Sequence, residues 1–297
     1  FMATVLAVGI ATVDVINVVA SYPGEDDEVR ALSHSVRRGG NATNTLVVLS
    51  QLGHVCEWAG VWVDEPDADI VRADLDRYDI GTRYCKRVKQ GKIPVSYITC
   101  SRATASRTIV HHRDLPEYDA GSFLNIPLET LDWVHFEGRN VAETLHMMQQ
   151  LRRRFPGVPV SLEVEKPREG IEALFPYANL LLFAQAFADH CGASPEVMLR
   201  KISNRVPHTD MVCTLSERGA VGLNRGGELL FSNAYPPPEL VDTVGAGDTF
   251  NAAMIDAALR GDSLAAALES ACRLAGAKCG QVGLDGLGRR TETGRDG

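Results

Sequence analysis

The chain has 297 residues, 45% of them hydrophobic and 23% charged, with a formal net charge of −8. That length and mixture suit one large α/β domain with an ample core and room for a small appendage. The acidic balance, with no Lys/Arg run longer than Arg152–Arg154, speaks against a nucleic-acid partner, and no apolar run reaches the ~20 residues of a membrane span.

Seven cysteines at irregular spacing, without a Cys-x-x-Cys, predict reduced thiols in a cytoplasmic protein rather than a disulfide scaffold or zinc site. Phe1 ahead of Met2 reads as an added residue, and the first apolar run lacks the basic stretch of a secretory signal. That run, residues 5–10, predicts a buried strand, and Asp14 follows shortly after it. Residues 17–38 read as polar and broken, with a turn at Tyr22-Pro23-Gly24 and the acid run Glu25, Asp26, Asp27, Glu28. Gly39-Gly40-Asn41 then opens a helix in which Ala42, Leu46, Leu49 and Leu52 recur at helical spacing, and Gly53 ends it. A second helical pattern spans 66–78, and residues 95–100 and 108–112 predict two strands joined as a hairpin.

From Trp133 the pattern becomes regular. Strands at 133–136, 158–164, 180–183 and 211–214 alternate with helices at 142–154, 168–174 and 195–205. Such alternation predicts a parallel sheet with right-handed crossovers. Two further helices, from Gly247 and over 263–279, close the unit, and the polar tail 289–297 is expected to fray. The layout is an α/β body of residues 1–10, 39–88 and 114–297. It is interrupted by β-rich segments 11–38 and 89–113 that pair as a lid over the carboxyl ends of the strands. A lid there excludes water, which a phosphoryl-transfer enzyme needs.

The most informative stretch is 242–248, Asp-Thr-Val-Gly-Ala-Gly-Asp. The periodic apolar residues Phe250, Met254, Ala257 and Ala258 place its glycines at a helix start. Backbone N–H groups there lack intrahelical partners and sit at the positive end of the dipole, so Gly245, Ala246 and Gly247 are expected to bind an anion. Asp248 adds a carboxylate beside it. An anion hole next to a carboxylate suits transfer of a phosphoryl group to a hydroxyl. At an ordinary pKa near ~4 the carboxylate is a weak base, which suffices where proton removal is late and positioning does most of the work.

Gly39-Gly40-Asn41-Ala42-x-Asn44 resembles the amino-terminal signature of the PfkB, or ribokinase-like, carbohydrate kinases, and 242–248 resembles their carboxy-terminal signature. The resemblance spans nearly the whole chain. Tyr22-Pro23, 135–140 (His-Phe-Glu-Gly-Arg-Asn), 164–168 (Val-Glu-Lys-Pro-Arg), Pro236-Pro237-Pro238 and 283–286 (Gly-Leu-Asp-Gly) are similar to the ketohexokinase branch of that family. The resemblance implies a ribokinase-like three-layer α/β/α body with a β-clasp lid, and an ATP-dependent kinase that phosphorylates the 1-hydroxyl of a ketohexose such as fructose. It implies sugar binding by Asp14, Gly40, Asn41 and Asn44, with Asp248 as general base. Asp26 is implied to reach the sugar site of a neighbouring subunit in a homodimer, against a solvated loop as the plain alternative.

For ATP, Arg107 is the best phosphate-facing cation, with a surface ion pair as its alternative. The turn Ser216-Glu217-Arg218-Gly219 is implied to approach the nucleotide. Cys279, seven after Cys272 on one helix face, is implied to lie near adenine, with core packing equally open. Lys166 either offsets phosphate charge or sits at the surface. Mg²⁺ is expected with ATP, but its protein ligands stay unassigned. The family's Asn-x-x-Glu has no counterpart at 183–186, and Asn140-x-x-Glu143 lies after an earlier strand. K⁺ dependence is a further implication that the residues leave open. Two other readings stand. One keeps the chemistry with another acceptor (ribose, tagatose, a 2-keto-3-deoxy acid or a nucleoside). The other is a catalytically silent sugar- or nucleotide-binding protein, against which the intact Asp248 and Gly-Ala-Gly argue.

Overall fold

A computed structural model describes residues 1–104 and 106–288. The tail expected to fray lies outside the described residues. The chain begins with β1 (Thr4–Val8), which leads through residues 9–11 into β2 (Thr12–Val19), and β3 (Ser33–Gly39) runs straight into α1 (Asn41–Gln51). β4 (Val55–Ala59), β5 (Val61–Val63), α2 (Ala68–Arg77) and β6 (Lys86–Val88) precede the long hairpin β7 (Lys92–Ser101) and β8 (Arg107–Asp114). The short α3 (Ala120–Phe123) is followed by β9 (Trp133–Phe136), α4 (Val141–Arg154), β10 (Val160–Val164) and β11 (Leu180–Phe183). After these come α5 (Gln185–His190), α6 (Pro195–Ser203), β12 (Asp210–Thr214), β13 (Ala220–Leu223), β14 (Leu229–Ser232), α7 (Ala246–Arg260) and α8 (Leu264–Cys279).

The main sheet has the order β14-β13-β12-β11-β10-β9-β1-β4, parallel from β12 to β4. Its central strands β1, β9, β10 and β11 are mostly apolar because both faces are covered, with His135, Ser161 and Glu163 as buried polar exceptions. Travel from β1 through α1 to β4 runs one way along the sheet, and travel from β9 to β12 runs the other way. Right-handed crossovers therefore put the two helix sets on opposite faces, which makes the three-layer α/β/α fold. α1, α7 and α8 pack on one another in one layer. α7 is buried from Asp248 through Ala257, a stretch that carries the polar Asp248, Thr249, Asn251 and Asp256 into the interior with its apolar residues. The strand order switches between β1 and β9, and ligands bind at the carboxyl ends on either side of such a switch.

The second sheet has the order β3-β2-β7-β8. β2 pairs antiparallel with β3 and parallel with β7, so Thr12 stands opposite Gly39 and Asp14 opposite Arg37. Both connections, residues 9–11 and Gly40, emerge at the carboxyl end of β1. Of the stretch 17–38 read as broken, residues 17–19 and 33–38 are therefore strand, and 20–32 lie outside β2 and β3. β3 is exposed through Ser33, His34, Ser35 and Val36, so it shows no alternation to mark it as a strand.

Other expectations also shift. The helix expected over 168–174 is a 3-10 segment, Ile171–Tyr177, entered through left-handed Gly170 and containing Pro176, neither of which suits an α-helix. β13 and β14 add an antiparallel edge that the alternating pattern does not announce. Asn140 caps α4 and Glu143 accepts the Ala120 N–H at 2.8 Å, so Asn140-x-x-Glu143 is structural. All seven cysteines are free thiols. No helix among the described residues is long and apolar enough to cross a membrane.

Candidate active site

Gly245 caps α7 in the left-handed region (φ 85°), and Ala246, Gly247 and Asp248 form its first turn. The expectation of three open amides is corrected at Ala246, whose N–H donates to the Thr243 carbonyl at 3.2 Å. That turn is closed by the positive φ that glycine supplies at the next-to-helix position. The N–H groups of Gly245, Gly247 and Asp248 have no hydrogen bond among the described residues. A Cβ built on Gly247 meets nothing within 4 Å, so its backbone faces open space.

Asp248 is buried, and Asn44 Nδ2 donates to its Oδ2 at 2.7 Å. Asn44 cannot turn its amide round. Its Oδ1 accepts from Arg38 Nη1 at 2.9 Å, and a guanidinium only donates. Arg38 is itself buried, with Nε on Asp74 at 2.5 Å and Nη1 also on Thr43 Oγ1 at 2.9 Å. Burial raises the pKa of Asp248 to about 7, helped by the negative charges of Glu165 and Glu137 and opposed by the Asn44 hydrogen bond and Arg38. The ordinary carboxylate pKa expected from sequence is thus corrected. A pKa near the working pH is what a general base needs.

A second polar cluster adjoins it. Asn41 Nδ2 donates to Glu163 Oε1 at 3.2 Å and to Glu165 Oε2 at 3.0 Å. Asn251, three residues after Asp248, also donates to Glu163 Oε1 at 3.1 Å. Glu163 is buried, its Oε2 has no partner, and burial together with the Asp248 charge pushes its pKa well above the ordinary range. Asn41 and Asn44, expected to share a face, address different carboxylates. Neither caps α1 through its side chain: Gly40 is the cap (φ 101°), and its own Cβ would meet the Ile10 carbonyl at 2.3 Å.

Asp14 is buried on β2 and accepts from Thr12 Oγ1 at 2.8 Å, and burial raises its pKa against the pull of Arg37 and Arg38. A side chain at Gly39 would fall 2.0 Å from Asp14 Oδ2, so that glycine is needed for the carboxylate to sit there. Glu137, just past β9, takes the N–H groups of Ile10 at 2.8 Å and Ala42 at 3.2 Å, fixing the end of β1 to the start of α1.

The other expected residues lie around this centre. Ser216, Glu217 and Arg218 expose their side chains in a 3-10 turn after β12. Gly219 (φ 97°) closes it against Ser232. Arg107 opens β8 opposite Cys100, and its exposed guanidinium makes no hydrogen bond or ion pair among the described residues. The Cys279 carbonyl accepts the N–H groups of Val241 and Asp242. Beside it a groove of about 500 Å³ is lined by Tyr235, Pro237, Val241, Arg273, Ala277 and Gly280, among others. Cys272 is buried, and Lys166 is exposed at 3.8 Å from Glu165. Asp26 (φ 69°) occupies an exposed turn between β2 and β3.

The model for the pfkB family carbohydrate kinases matches residues 2–287. The chain belongs to that family. It is 39% identical over 292 residues to ketohexokinase of Mus musculus, covering 95% of this chain and 98% of that protein. Fructosamine kinase FrlD of Bacillus subtilis is 23% identical, over 84% of this chain and 86% of that one. Among solved structures, a protein of Agrobacterium tumefaciens provisionally assigned as a ribokinase superposes with TM-score 0.86 at 22% identity, over 99% of this chain and 97% of that one. A ribokinase of Cryptococcus neoformans in complex with ADP gives 0.74 at 18% identity, over 98% and 100%. At those identities the structures establish a ribokinase-like fold. With the family match and the ketohexokinase relative, they make this protein an ATP-dependent sugar kinase.

Several residues of this kinase's site escape sequence reasoning. Arg38 falls in the stretch 17–38 that reads as polar and broken, and Glu163 in the strand expected over 158–164. The signal for Glu163 is a carboxylate inside a strand buried along its whole length. Asp242 belongs to the visible motif, but its partners Arg37 and Lys278 come from distant elements.

Proposed function

We propose that this kinase transfers the γ-phosphoryl group of ATP to the 1-hydroxyl of a ketohexose, fructose before others. The observation that carries the proposal is Asp248: buried, oriented by Asn44, titrating near 7, and one helical turn from the open amides of Gly245 and Gly247. Asp248 takes the hydroxyl proton as the oxygen attacks phosphorus. The amides receive the charge on the phosphoryl oxygens. Asp14, Gly40, Asn41 and Asn44 form the sugar side, where Asp14 accepts hydroxyl protons and Gly40, packed against the Ile10 carbonyl, turns the chain into α1 so that Asn41 and Asn44 follow at once. The ketose acceptor rests on the similarity to ketohexokinase.

The groove between the residues 235–241 and the end of α8 suits the adenine, beside Cys279, and the 216–219 turn borders the nucleotide. Arg107 is the cation left to meet its phosphates. Mg²⁺ draws most of its ligands from phosphate and water and would neutralise phosphate charge. Among the described residues no three Asp, Glu, His or Cys side chains form a cage for it, so it enters with the nucleotide. The sheet of segments 11–38 and 89–113 acts as a lid. Val36, Val15, Tyr97 and Val110 stand in one row across it, three of them well exposed. Two such apolar rows would pair in a cytoplasmic homodimer and bring Asp26 to the partner's sugar.

Coupled ADP release across fructose, tagatose, ribose, a 2-keto-3-deoxy acid and a nucleoside tests the assignment. Fructose is expected to give the highest kcat/KM and a 1-phosphate product. Preference for an aldose or an acid overturns the ketose reading, and no turnover with any acceptor points to a binding protein.

A further inference from the structure

Lys278 lies in the last turn of α8 and is fully buried. Its Nζ donates to the Asp242 carbonyl at 2.8 Å, to Asp242 Oδ2 at 3.1 Å and to the Gln281 carbonyl at 3.2 Å. Three acceptors match the three protons of an ammonium, whereas a neutral amine offers only two donors and a lone pair. Burial pulls the lysine pKa down and Asp242 opposes that pull. Asp242 opens the motif that carries the anion hole. It also takes Arg37 Nη2 at 2.9 Å and the N–H groups of Val244 and Gly283. A Cβ on Gly245 would lie 3.8 Å from Lys278 Cε and 3.8 Å from Asn44 Nδ2, so the lysine stem runs directly beside the capping glycine.

Two carbonyl oxygens and a carboxylate oxygen form the donor set that a monovalent cation such as K⁺ takes in exchange for its hydration shell. Here a covalently attached cation already fills that set. We propose that the Lys278 ammonium is a built-in monovalent cation for the anion-hole loop, so that this kinase needs no K⁺ there. The K⁺ implied by family resemblance does not fit this cage, because its oxygens and its space are taken. The ammonium shares with Arg37 the neutralisation of Asp242, whose Oδ1 holds the Val244 N–H, so the amides that meet phosphate are not opposed by a half-compensated carboxylate. Such fixed charge needs no reorganisation during the reaction. The inference rests on reading that loop as the phosphate site.

Binding of an unreactive ATP analogue by calorimetry, with thermal melting, tests it in K⁺ and in tetramethylammonium. For the unaltered protein, affinity and the rate of phosphoryl transfer are expected to agree within about twofold between the two salts, and the melting temperature to stay unchanged. Lys278→Ala empties the cage. In tetramethylammonium its analogue affinity should fall about tenfold or more, and K⁺ or NH₄⁺ should restore it, a recovery that a merely structural lysine would not show. Lys278→Met, which refills the space without charge, should lose affinity and not recover. Affinity of the unaltered protein that climbs severalfold with K⁺ overturns the inference, and this arm needs no variant to fold. Lys278→Met that binds normally overturns it too. An analogue that binds in neither salt sinks the phosphate-site reading with it. A wrong sugar assignment appears only in the acceptor panel and leaves these arms untouched.

Discussion

Asn44 Nδ2 donates to Asp248 Oδ2 at 2.7 Å and so joins the first turn of α1 to the first turn of α7 across 204 positions of sequence. Arg38 fixes the far side of the same amide, leaving the carboxylate one orientation. The bond also favours the ionised carboxylate against burial. Replacing Asn44 by Ala is expected to move the rising limb of kcat/KM to higher pH and to cut kcat/KM at pH 7 by about 10–100-fold, within the range a positioned base contributes. A pH–rate series on the variant is the check. A limb that stays put while only KM rises would reduce Asn44 to a sugar contact.

Asp248 gives the protein a signed pH dependence. As the proposed base Asp248 must be ionised to act, so kcat/KM should rise with pH to a limb near 7. Stability runs the opposite way. In the unfolded chain the group loses its proton near pH ~4, while the folded chain keeps it to about 7. Between those values the native state binds more protons, so this residue's contribution to stability falls as pH rises through that window. Asp248→Asn should therefore abolish most turnover, retain sugar binding, and melt higher than the parent at pH 8, by about 2–4 °C per kcal/mol regained. At pH 4 the difference should vanish. Melting curves at the two pH values decide it, and equal shifts at both would show that the carboxylate does not titrate in this way.

Gly247 offers a clean probe of the anion hole. A Cβ there meets no protein atom within 4 Å, and the residue needs no positive φ. Gly247→Ala should fold with unchanged melting, or rise slightly, since Ala is the better helix former. Gly247→Val should likewise fold, yet both should lose kcat as the side chain enters the phosphate's space, Val more than Ala. Wild-type kcat in Gly247→Val would mean that the phosphate lies elsewhere. Gly245 cannot serve this purpose, because its φ of 85° strains any substitute.

Much of the molecule was legible as a string. The alternating strands and helices after Trp133 predict the parallel body, because a βαβ unit is specified locally by period and turn chemistry. The two glycine-rich helix starts announced Gly40, Asn41, Asn44 and Asp248, because bare amides next to polar side chains are a local signal. β3 was less visible, since its first four residues are all exposed and three of them polar, so it lacks the alternation of a half-buried strand.

What the sequence determined by itself was the type of chemistry, that of an ATP-dependent sugar kinase, and the residues proposed to perform it. Tertiary structure decided their state. Burial raises the pKa of Asp248 to about 7 from ~4 because α7 is packed among α1, α8 and the carboxylates of Glu165 and Glu137, and burial is a property of the packed layers. Arg38 orients Asn44 because β3 ends where α1 begins, and Lys278 reaches Asp242 because α8 returns beneath the loop. Electrostatic energy depends on distance through space and on exclusion of water, and neither quantity is written in the order of residues along the chain.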